Sequence, residues 1–593
     1  MKKYLFSSML LGGLMMASCS ENVLETPQVE ETQKTYAQKF QEMLGGPVSR
    51  TQDFNTLQEF KLNVTLAEAG DIKVYARVNS EVVYQLVGNF ENMAAGTHEL
   101  VVDGPENWND FAVEVGNEVK CTKGEALTFS RVLSRNYRPE NPAFSLDGTV
   151  IVNGEIQKDA AGNPVKENVE KTFTIDEVSA FLAKVPAGIN NYGRTDIAMN
   201  FKVMNEVNRK IRIYPVYWVA SYRHIFGIYT YNDNGTIGTH YDIYDSRMAS
   251  PSDKPEDLQI SKDGGINWTS ADNNKTITAF PLEGSGAPTH VKSQGFEVTL
   301  PDDGKTYGFY IKVYENGIIQ ADGERYNRIW YSDVDLNADK LPHAAYFQAN
   351  VARANTEETM TRTFLGFEDI GHGGGDKDLN DFVFIVEPEP IIIDKTPISW
   401  TLAAEDLGNI DDFDFNDVVV SLQKVAGQKE LNITALAAGG TLPVKLQYNG
   451  QDIQPAGAAS AEFHSWFGVN DPDADGNYEM INTKSITREG MTATLTLDKD
   501  FTLTKFMDAE NNNMGGFKIV VDRERNGNWT TELTSPQNGT APQMMCLPIG
   551  WAWPTERTRM VDAYQGFQDW GQGYLQDKTN AWAYQYEEGK VVK

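Results

Sequence analysis

A chain of 593 residues, 40% hydrophobic and 11% aromatic, is too long for one hydrophobic core and too apolar to be disordered throughout, so several folded domains are expected. Its formal charge of −31 excludes nucleic acid as a partner, because the sequence has no basic stripe to neutralise phosphates. The same acidity suits an extracellular, cation-rich setting.

The amino terminus reads as an export signal. Met1-Lys2-Lys3 is a positive n-region, and Tyr4 to Met16 is an apolar run too short to span a bilayer. Met16-Ala17-Ser18-Cys19 then resembles the lipobox of bacterial lipoproteins, with Met16 where that family usually has leucine. The resemblance implies removal of a signal peptide, 1–18, and lipidation (palmitate among the acyl chains) of Cys19; Ser20 in place of aspartate implies delivery to the outer membrane, where the chain would face the cell surface. A single acyl chain binds membranes marginally, whereas two or more hold stably. The alternative is a plain secretory signal with an incidental cysteine. Within the segment 19–50, residues 20–35 read as a polar, acidic tether. Tyr36, Phe40, Met43 and Leu44 follow at helical spacing and stop at Gly45-Gly46-Pro47, which predicts a short helix docked on the first folded domain.

From there the pattern changes to period two. Phe60, Leu62, Val64 and Leu66 alternate with polar residues, as do Ile72, Val74, Ala76 and Val78, which predicts half-buried antiparallel strands in a first β domain, 51–190. Thr174 and Glu177 form a capping box ahead of an apolar stripe, Val178, Phe181, Leu182 and Val185, so a helix is predicted there, ended by Pro186. A second β domain, 191–388, contains Asn234-Gly235 as a hairpin turn. Glu387-Pro388-Glu389-Pro390 and Asp394-Lys395-Thr396-Pro397 read as a stiff linker, 389–397. Beyond it, a third β domain, 398–593, alternates again at Leu431-Ile433-Ala435, Leu442-Val444-Leu446-Tyr448 and Met491-Ala493-Leu495-Leu497, with a second Asn-Gly turn at Asn526-Gly527. The fold class expected is mainly β: several antiparallel β-sandwich-like domains in series, with few short helices.

Two acidic segments stand on either side of that linker. GFEDIGHGGGDKDLNDFVFIV, residues 366–386, crowds Glu368, Asp369, Asp376, Asp378, Asn380 and Asp381 against a strand that must be buried. AAEDLGNIDDFDFNDVVVSL, residues 403–422, repeats the pattern as Glu405, Asp406, Asp412, Asp414, Asn416 and Asp417, with Gly408 opposite Gly371. Like charges this close repel, and a desolvated carboxylate needs a partner. The candidates are a distant basic residue, solvent or a bound cation. Oxygens at alternate positions can converge on one side of a tight backbone, and Ca²⁺ takes six to eight oxygens at about 2.3–2.6 Å. Neutral Asn380 and Asn416 suit calcium better than zinc, which favours His or Cys; His372 has no counterpart in the second segment. Two calcium sites are therefore expected, against the alternative of two solvated acidic hairpins. A third loop, Asp471, Asp473 and Asp475 within DPDADGN, resembles the start of an EF-hand, but Asn482 stands where the bidentate glutamate belongs; a third calcium site and an ordinary polar loop both remain open.

Here the residues match known families. From Trp400 onward the chain resembles the LruC domain of bacterial surface lipoproteins, through the 405–417 segment, Glu462-Phe463-His464-Ser465-Trp466-Phe467-Gly468, Met480-Ile481-Asn482-Thr483, and Trp553-Pro554 with Glu556, Ala563-Tyr564, Phe567 and Trp570. Roughly 195–388 resembles a second domain family, of unknown function, through Phe367-Glu368-Asp369 and the Gly-Gly-Asp-x-Asp-x-Asn-Asp run. These resemblances imply a surface lipoprotein and no reaction.

Nothing in the sequence favours catalysis. The seven histidines are scattered, with no His-Glu-x-x-His, no Gly-x-Ser-x-Gly and no phosphate-cradling loop. Paired carboxylates leave glycoside hydrolysis open. Trp551, Trp553, Trp570 and Trp582 read as core, with a sugar-stacking face as the alternative. Cys121 and Cys546 read as two buried thiols, with a disulfide as the alternative. The expectation is a non-catalytic binding or adhesion module with an unknown extracellular glycan or protein ligand; the runner-up is a carbohydrate-binding or carbohydrate-active component of a nutrient-uptake system.

Overall fold

The computed structural model describes residues 34–592 except 78–82, 106–109, 130–142, 146–150, 153–154, 157, 164–169, 195, 205–209, 219–222, 246–257, 261–265, 269–289, 300–304, 316–317, 320–328, 353–358, 372–373, 408–411, 508–515, 534–536 and 576–579. Cys19, the signal peptide, all but the end of the tether, His372 and Gly408 lie outside the described residues.

Strands dominate and the helices are short, as the period-two patterning requires. Leu57–Leu66, Gly70–Arg77, Glu430–Ala437 and Val444–Tyr448 are all strands. Asn234-Gly235 closes the hairpin between Arg223–Tyr231 and Ile237–Asp245, and Asn526-Gly527 joins Phe517–Val521 to Thr531–Leu533. The capping box is made: Thr174 Oγ1 accepts the Glu177 N–H at 3.2 Å and the Glu177 carboxylate accepts the Thr174 N–H at 2.7 Å. The helix it starts is one turn, Ile175–Ser179, continued as a 3-10 turn over Ala180–Ala183. No described helix is long and apolar enough to cross a membrane.

The segment read as a linker is a strand. Ile391–Pro397 pairs antiparallel with Phe201–Met204 on one side and parallel with Val83–Met93 on the other. Ile391, Ile392 and Ile393 are buried, an uninterrupted apolar run of the kind a strand covered on both faces requires. It lies inside an eleven-stranded mixed sheet that also holds Gly70–Arg77, Phe111–Val115, Glu118–Thr122 and Thr306–Glu315. This sheet curls until Glu118 bridges Lys305. Across its interior the Lys202 ammonium reaches the Glu114 carboxylate at 2.8 Å, both nearly inaccessible to solvent, and the Tyr75 hydroxyl donates to the same carboxylate at 2.6 Å.

One apolar core takes strands from both ends of the chain. Leu62, Val64, Val74, Val102 and Phe111 pack in one cluster with Trp400, Leu402, Val420, Ile433, Leu446, Phe517 and Cys546. Asp103 caps the Leu503–Met507 helix, accepting from the N–H groups of Leu503 and Thr504.

Two local expectations are corrected. The predicted helix forms, Tyr36–Leu44, with Thr35 and Gln38 as its capping box and Gly45 as a left-handed C-cap, but it docks on the C-terminal region and not on the first β strands. Phe40 makes edge contacts with Phe54, Phe413, Phe415 and Phe567, because those rings are the apolar surface within its reach. Cys121 and Cys546 form no disulfide; Cys546 is buried, but Cys121 is exposed at the edge of the curled sheet. Trp551, Trp570 and Trp582 are core residues, and Trp553 is half-buried with its indole N–H on the Asn482 carbonyl at 2.8 Å.

Candidate metal centre

Each acidic segment is the connection of an antiparallel pair. Thr359–Phe367 pairs with Phe382–Glu387, so Phe367 faces Phe382 and the first loop lies between them. Ser399–Ala404 pairs with Val418–Lys424, with Ala404 facing Val418, and the second loop lies between those. The buried strand that follows each loop is thus the second arm of a hairpin, and the carboxylates sit at its closed end.

Within the loops the backbone alternates. Lys377 and Leu379 have φ of 62°, and Phe413 and Phe415 have φ of 55° and 53°. Leu407, at the start of the second loop, has φ of 54° as well, and left-handed φ costs an L-residue about 1–2 kcal/mol each, so these residues persist only if the surroundings over-determine them. The residues that alternate with Lys377, Leu379, Phe413 and Phe415 are the oxygen donors. Glu368, Asp376 and Asp378 bring oxygens within 4.8 Å of one another, and so do Glu405, Asp412 and Asp414. Oxygens that close can share one cation at metal–oxygen distances of about 2.4 Å. Glu368 also lies within the same range of Asp369 and Asp381.

The two loops are held by the same bonds. Asp369 donates its N–H to Asp381 Oδ2 at 2.9 Å, and Asp406 donates to Asp417 Oδ2 at 2.7 Å. Asn380 and Asn416 each donate their N–H to the Oδ1 of the aspartate two residues before, at 3.1 and 3.2 Å. Phe415 N–H donates to Glu405 at 2.8 Å, and Leu379 N–H bonds Glu368 in the same way.

A turn from elsewhere in the chain clamps each loop. Val185 accepts from Asn380 Nδ2 at 3.0 Å while Gly188 N–H donates to Asp378 Oδ2 at 2.8 Å. Pro554 accepts from Asn416 Nδ2 at 3.1 Å while Arg557 N–H donates to Asp414 Oδ2 at 2.7 Å. Both clamps use a carbonyl and the N–H three residues later, with Gly188 and Arg557 both at left-handed φ. Sequence reasoning missed these four residues because they contribute backbone atoms, for which side-chain identity carries no signal.

With their amide nitrogens committed, Asn380 and Asn416 are wholly buried and their Oδ1 atoms have no hydrogen-bond donor; Glu368 Oε2 is in the same position. Such orphaned acceptors cost about 1–3 kcal/mol each unless something positive meets them. Glycines leave the room: a Cβ on Gly375 would stand 1.9 Å from Glu368 Oε1, and one on Gly439 2.0 Å from Asn416 Oδ1.

The electrostatics point the same way. Burial, with the charges of Asp369, Asp378 and Asp376, pushes the Glu368 carboxyl up to about 8. Burial and Asp376 push Asp378 up to about 6, and burial and Asp412 push Asp414 up to about 8. Asp381, Glu405 and Asp417 are raised for the same reasons, desolvation first and neighbouring carboxylates second. Among the described residues no lysine or arginine forms an ion pair with Glu368, Asp378, Glu405 or Asp414. His224 meets Asp369 at 3.0 Å, and the Trp330 indole N–H bonds the Asp369 carbonyl at 3.0 Å. These clusters, all oxygen and short of positive charge, could hold a metal ion, and a hard cation is the kind such donors take.

The third loop behaves differently. Asp471, Asp473 and Asp475 are exposed and are not brought within ligand distance of one another. Asp473 Oδ1 accepts the N–H groups of Asp475 and Asn477, each at 2.9 Å, so its carboxylate shapes a polar turn. Asp406 and Asp417 also stay outside the tight oxygen cluster of the second loop, where Asp417 holds the loop's entry.

Comparison with known proteins adds little beyond the domain level. A family described as a domain of unknown function, DUF4114, matches residues 298–389, a stretch that ends with the first acidic hairpin. No curated protein matches the chain. Among solved structures, a protein from Bacteroides ovatus provisionally named a lipoprotein, determined at 2.08 Å resolution, is 15% identical over 42% of this chain and 90% of its own, with a TM-score of 0.21. That superposition is too loose to bear on fold or function.

Proposed function

We propose that the protein is a lipid-anchored, calcium-stabilised surface protein that binds or adheres rather than catalyses. The observation that carries the calcium reading is the doubled hairpin loop, in which strained backbone, clamping turn, orphaned asparagine oxygen and clustered carboxylates recur together. A solvated turn would have no need of orphaned, fully buried acceptors. In this reading Glu368, Asp376, Asp378 and Asn380 hold one Ca²⁺, with Asp369 and Asp381 beside it. Glu405, Asp412, Asp414 and Asn416 hold the other, with Asp406 and Asp417 bracing the loop. The lipobox at Met16–Cys19 and the LruC resemblance of 398–593 support an anchored outer-membrane protein facing outward.

Each hairpin carries a complete donor set on its own sheet, so Asp378→Ala and Asp414→Ala should each remove about one bound calcium by metal analysis of the purified chain. Loss of both ions from one substitution would mean a single shared site and would overturn the assignment. The anchor has its own test. Cys19→Ala should abolish acylation and membrane fractionation while leaving the β domains folded; a variant that still carries lipid by mass spectrometry defeats the lipobox reading.

A second reading, carbohydrate binding, has one observation in its favour. An open cleft of about 580 Å³ beside the third loop is lined by Asp471, Asn477, Tyr478, Glu479 and Arg488, an aromatic ring among polar groups. A glycan array on residues 20–593 separates the readings: sugar binding with turnover means an enzyme, binding alone a lectin-like module, and silence leaves a protein partner or a scaffold.

A further inference from the structure

The second loop does two jobs with alternate residues. Asp412, Asp414 and Asn416 offer oxygens, while Phe413 and Phe415, the left-handed residues between them, are buried in the cluster that holds the Tyr36–Leu44 helix. Tyr36 meets Phe413 edge-on at 5.3 Å between ring centroids, and Phe40 meets Phe413 at 5.5 Å and Phe415 at 6.4 Å. Phe40 is wholly buried there. The Phe413 carbonyl accepts the Met560 N–H at 3.0 Å, which ties the same loop to the helices at 560–572 on which Leu44 also rests. The first loop has Lys377 and Leu379 at these positions, and Leu379 packs instead with Phe181 and Val185. The seat for the N-terminal helix therefore belongs to the second loop alone.

A helix of nine residues is unstable in water by itself, so Tyr36–Leu44 is helical only while docked. Two of the four rings that seat Phe40, those of Phe413 and Phe415, stand on strained backbone beside carboxylates that repel when nothing neutralises them. We infer that cation occupancy of the second loop controls docking of the N-terminal helix, the cation fixing Phe413 and Phe415 in the alternating backbone that presents them to Tyr36 and Phe40. This rests on the calcium reading above and concerns the regulation of that site. Because the coupling is thermodynamic, it runs both ways: removing the helix's anchor must weaken the second site by the factor by which the cation strengthens docking.

The test uses the full-length chain, with amide hydrogen exchange at residues 36–44 and calcium titration against a fluorescent chelator. Calcium should slow exchange over 36–44 in the wild type by roughly thirtyfold, the middle of the usual range for such coupling. In Asp414→Asn that response should vanish; in Asp378→Asn it should remain. Phe40→Ala should weaken one of the two calcium affinities by the same factor and leave the other unchanged. Two bound ions with identical exchange over 36–44 in calcium and in EDTA would overturn the inference while leaving the calcium reading intact. No calcium binding to the wild type would overturn both. Should Asp414→Asn fail to fold, the wild-type comparison and Phe40→Ala decide it.

Discussion

In EDTA the protein should lose thermal stability as pH is raised from about 5 to about 8, and millimolar calcium should remove or reverse that slope. Glu368 and Asp414 titrate near 8 in the folded chain and near ordinary carboxyl values when unfolded. A carboxyl whose folded value is raised binds its proton more tightly in the native state, so its cost is absent below the unfolded value and complete above the folded one. One unit is about 1.4 kcal/mol, so each loop carries a penalty on the order of several kcal/mol at neutral pH without a cation. A bound cation holds the carboxylates ionised, which places their folded values below the unfolded ones; their contribution is then present above the unfolded value and lost as pH falls. Occupancy at an affinity of about 0.1–1 mM adds about 0.4–1.4 kcal/mol per site by mass action, and removing the repulsion adds more. The melting temperature should fall on the order of 10 °C on chelation near pH 8. Residues 366–386 and 403–422 should become open to protease. Ca²⁺ should restore both properties and Mg²⁺ at equal concentration should not, since Mg²⁺ demands a tighter octahedral shell. Melting that ignores both chelation and pH would show these loops to be solvated turns.

Replacing Lys202 by methionine should be the most damaging single change away from the loops. Lys202 and Glu114 lie on strands separated by three others in the sheet order and meet because the sheet curls. Burial pushes the Glu114 carboxyl up, but Lys202, Lys73 and the Tyr75 hydroxyl outweigh it and hold the group below its ordinary value. Without the ammonium that carboxylate keeps the Tyr75 hydrogen bond and the Lys73 charge but loses its buried ion pair, and breaking such a pair typically costs about 3–5 kcal/mol. Urea unfolding should show that loss for Lys202→Met and recover most of it in Lys202→Met with Glu114→Gln, where no charge is left buried. The single variant should also regain stability as pH falls, because an unpaired buried carboxyl titrates high. A loss within about half a kcal/mol for the single variant would mean the pair is not a structural tie.

What the sequence made legible was local. Period-two stretches, the Asn234-Gly235 turn and the Thr174–Glu177 box rest on interactions within a few residues and formed, with Leu442, Met491 and Leu497 left just outside their strands and Asn526-Gly527 inside a longer connection, 522–530. The spacing of the two acidic segments was legible for the same reason. The left-handed backbone was not, since Lys377, Leu379, Phe413 and Phe415 are residues that normally avoid it. The seat of the N-terminal helix was misjudged because nearness in sequence stood in for nearness in space. Its signal was present all the same: phenylalanines at 413 and 415 alternate with the polar residues Asp412, Asp414 and Asn416, and side chains of that size must be covered by something. Pro388, Pro390 and Pro397 made 389–397 look like a spacer, whereas Ile391-Ile392-Ile393 between them carried the stronger information.

The core that joins Leu57–Leu66 to the strands of 399–547 also fixes the order of events when the chain is made. Thr56 donates its N–H to the Cys546 carbonyl, and Asn55 bridges Cys546, so the residues that lead into the earliest strand wait for almost the last one to be synthesised. At about 5–20 residues per second, the interval between emergence of residue 57 and residue 546 is about 25–100 s. Through that interval Leu62, Val64 and Leu66 have their sheet partners at 96–105 and 127–129, but the apolar face they share lacks the half of its core that comes from 398–549. Contacts of such long sequence separation close slowly, because loop entropy must be overcome before they contribute anything. Truncation near residue 540 should therefore do more than delete the last helices: it should remove Met544, Cys546 and Ile549 from the core shared with the first strands, and lower the yield of soluble product.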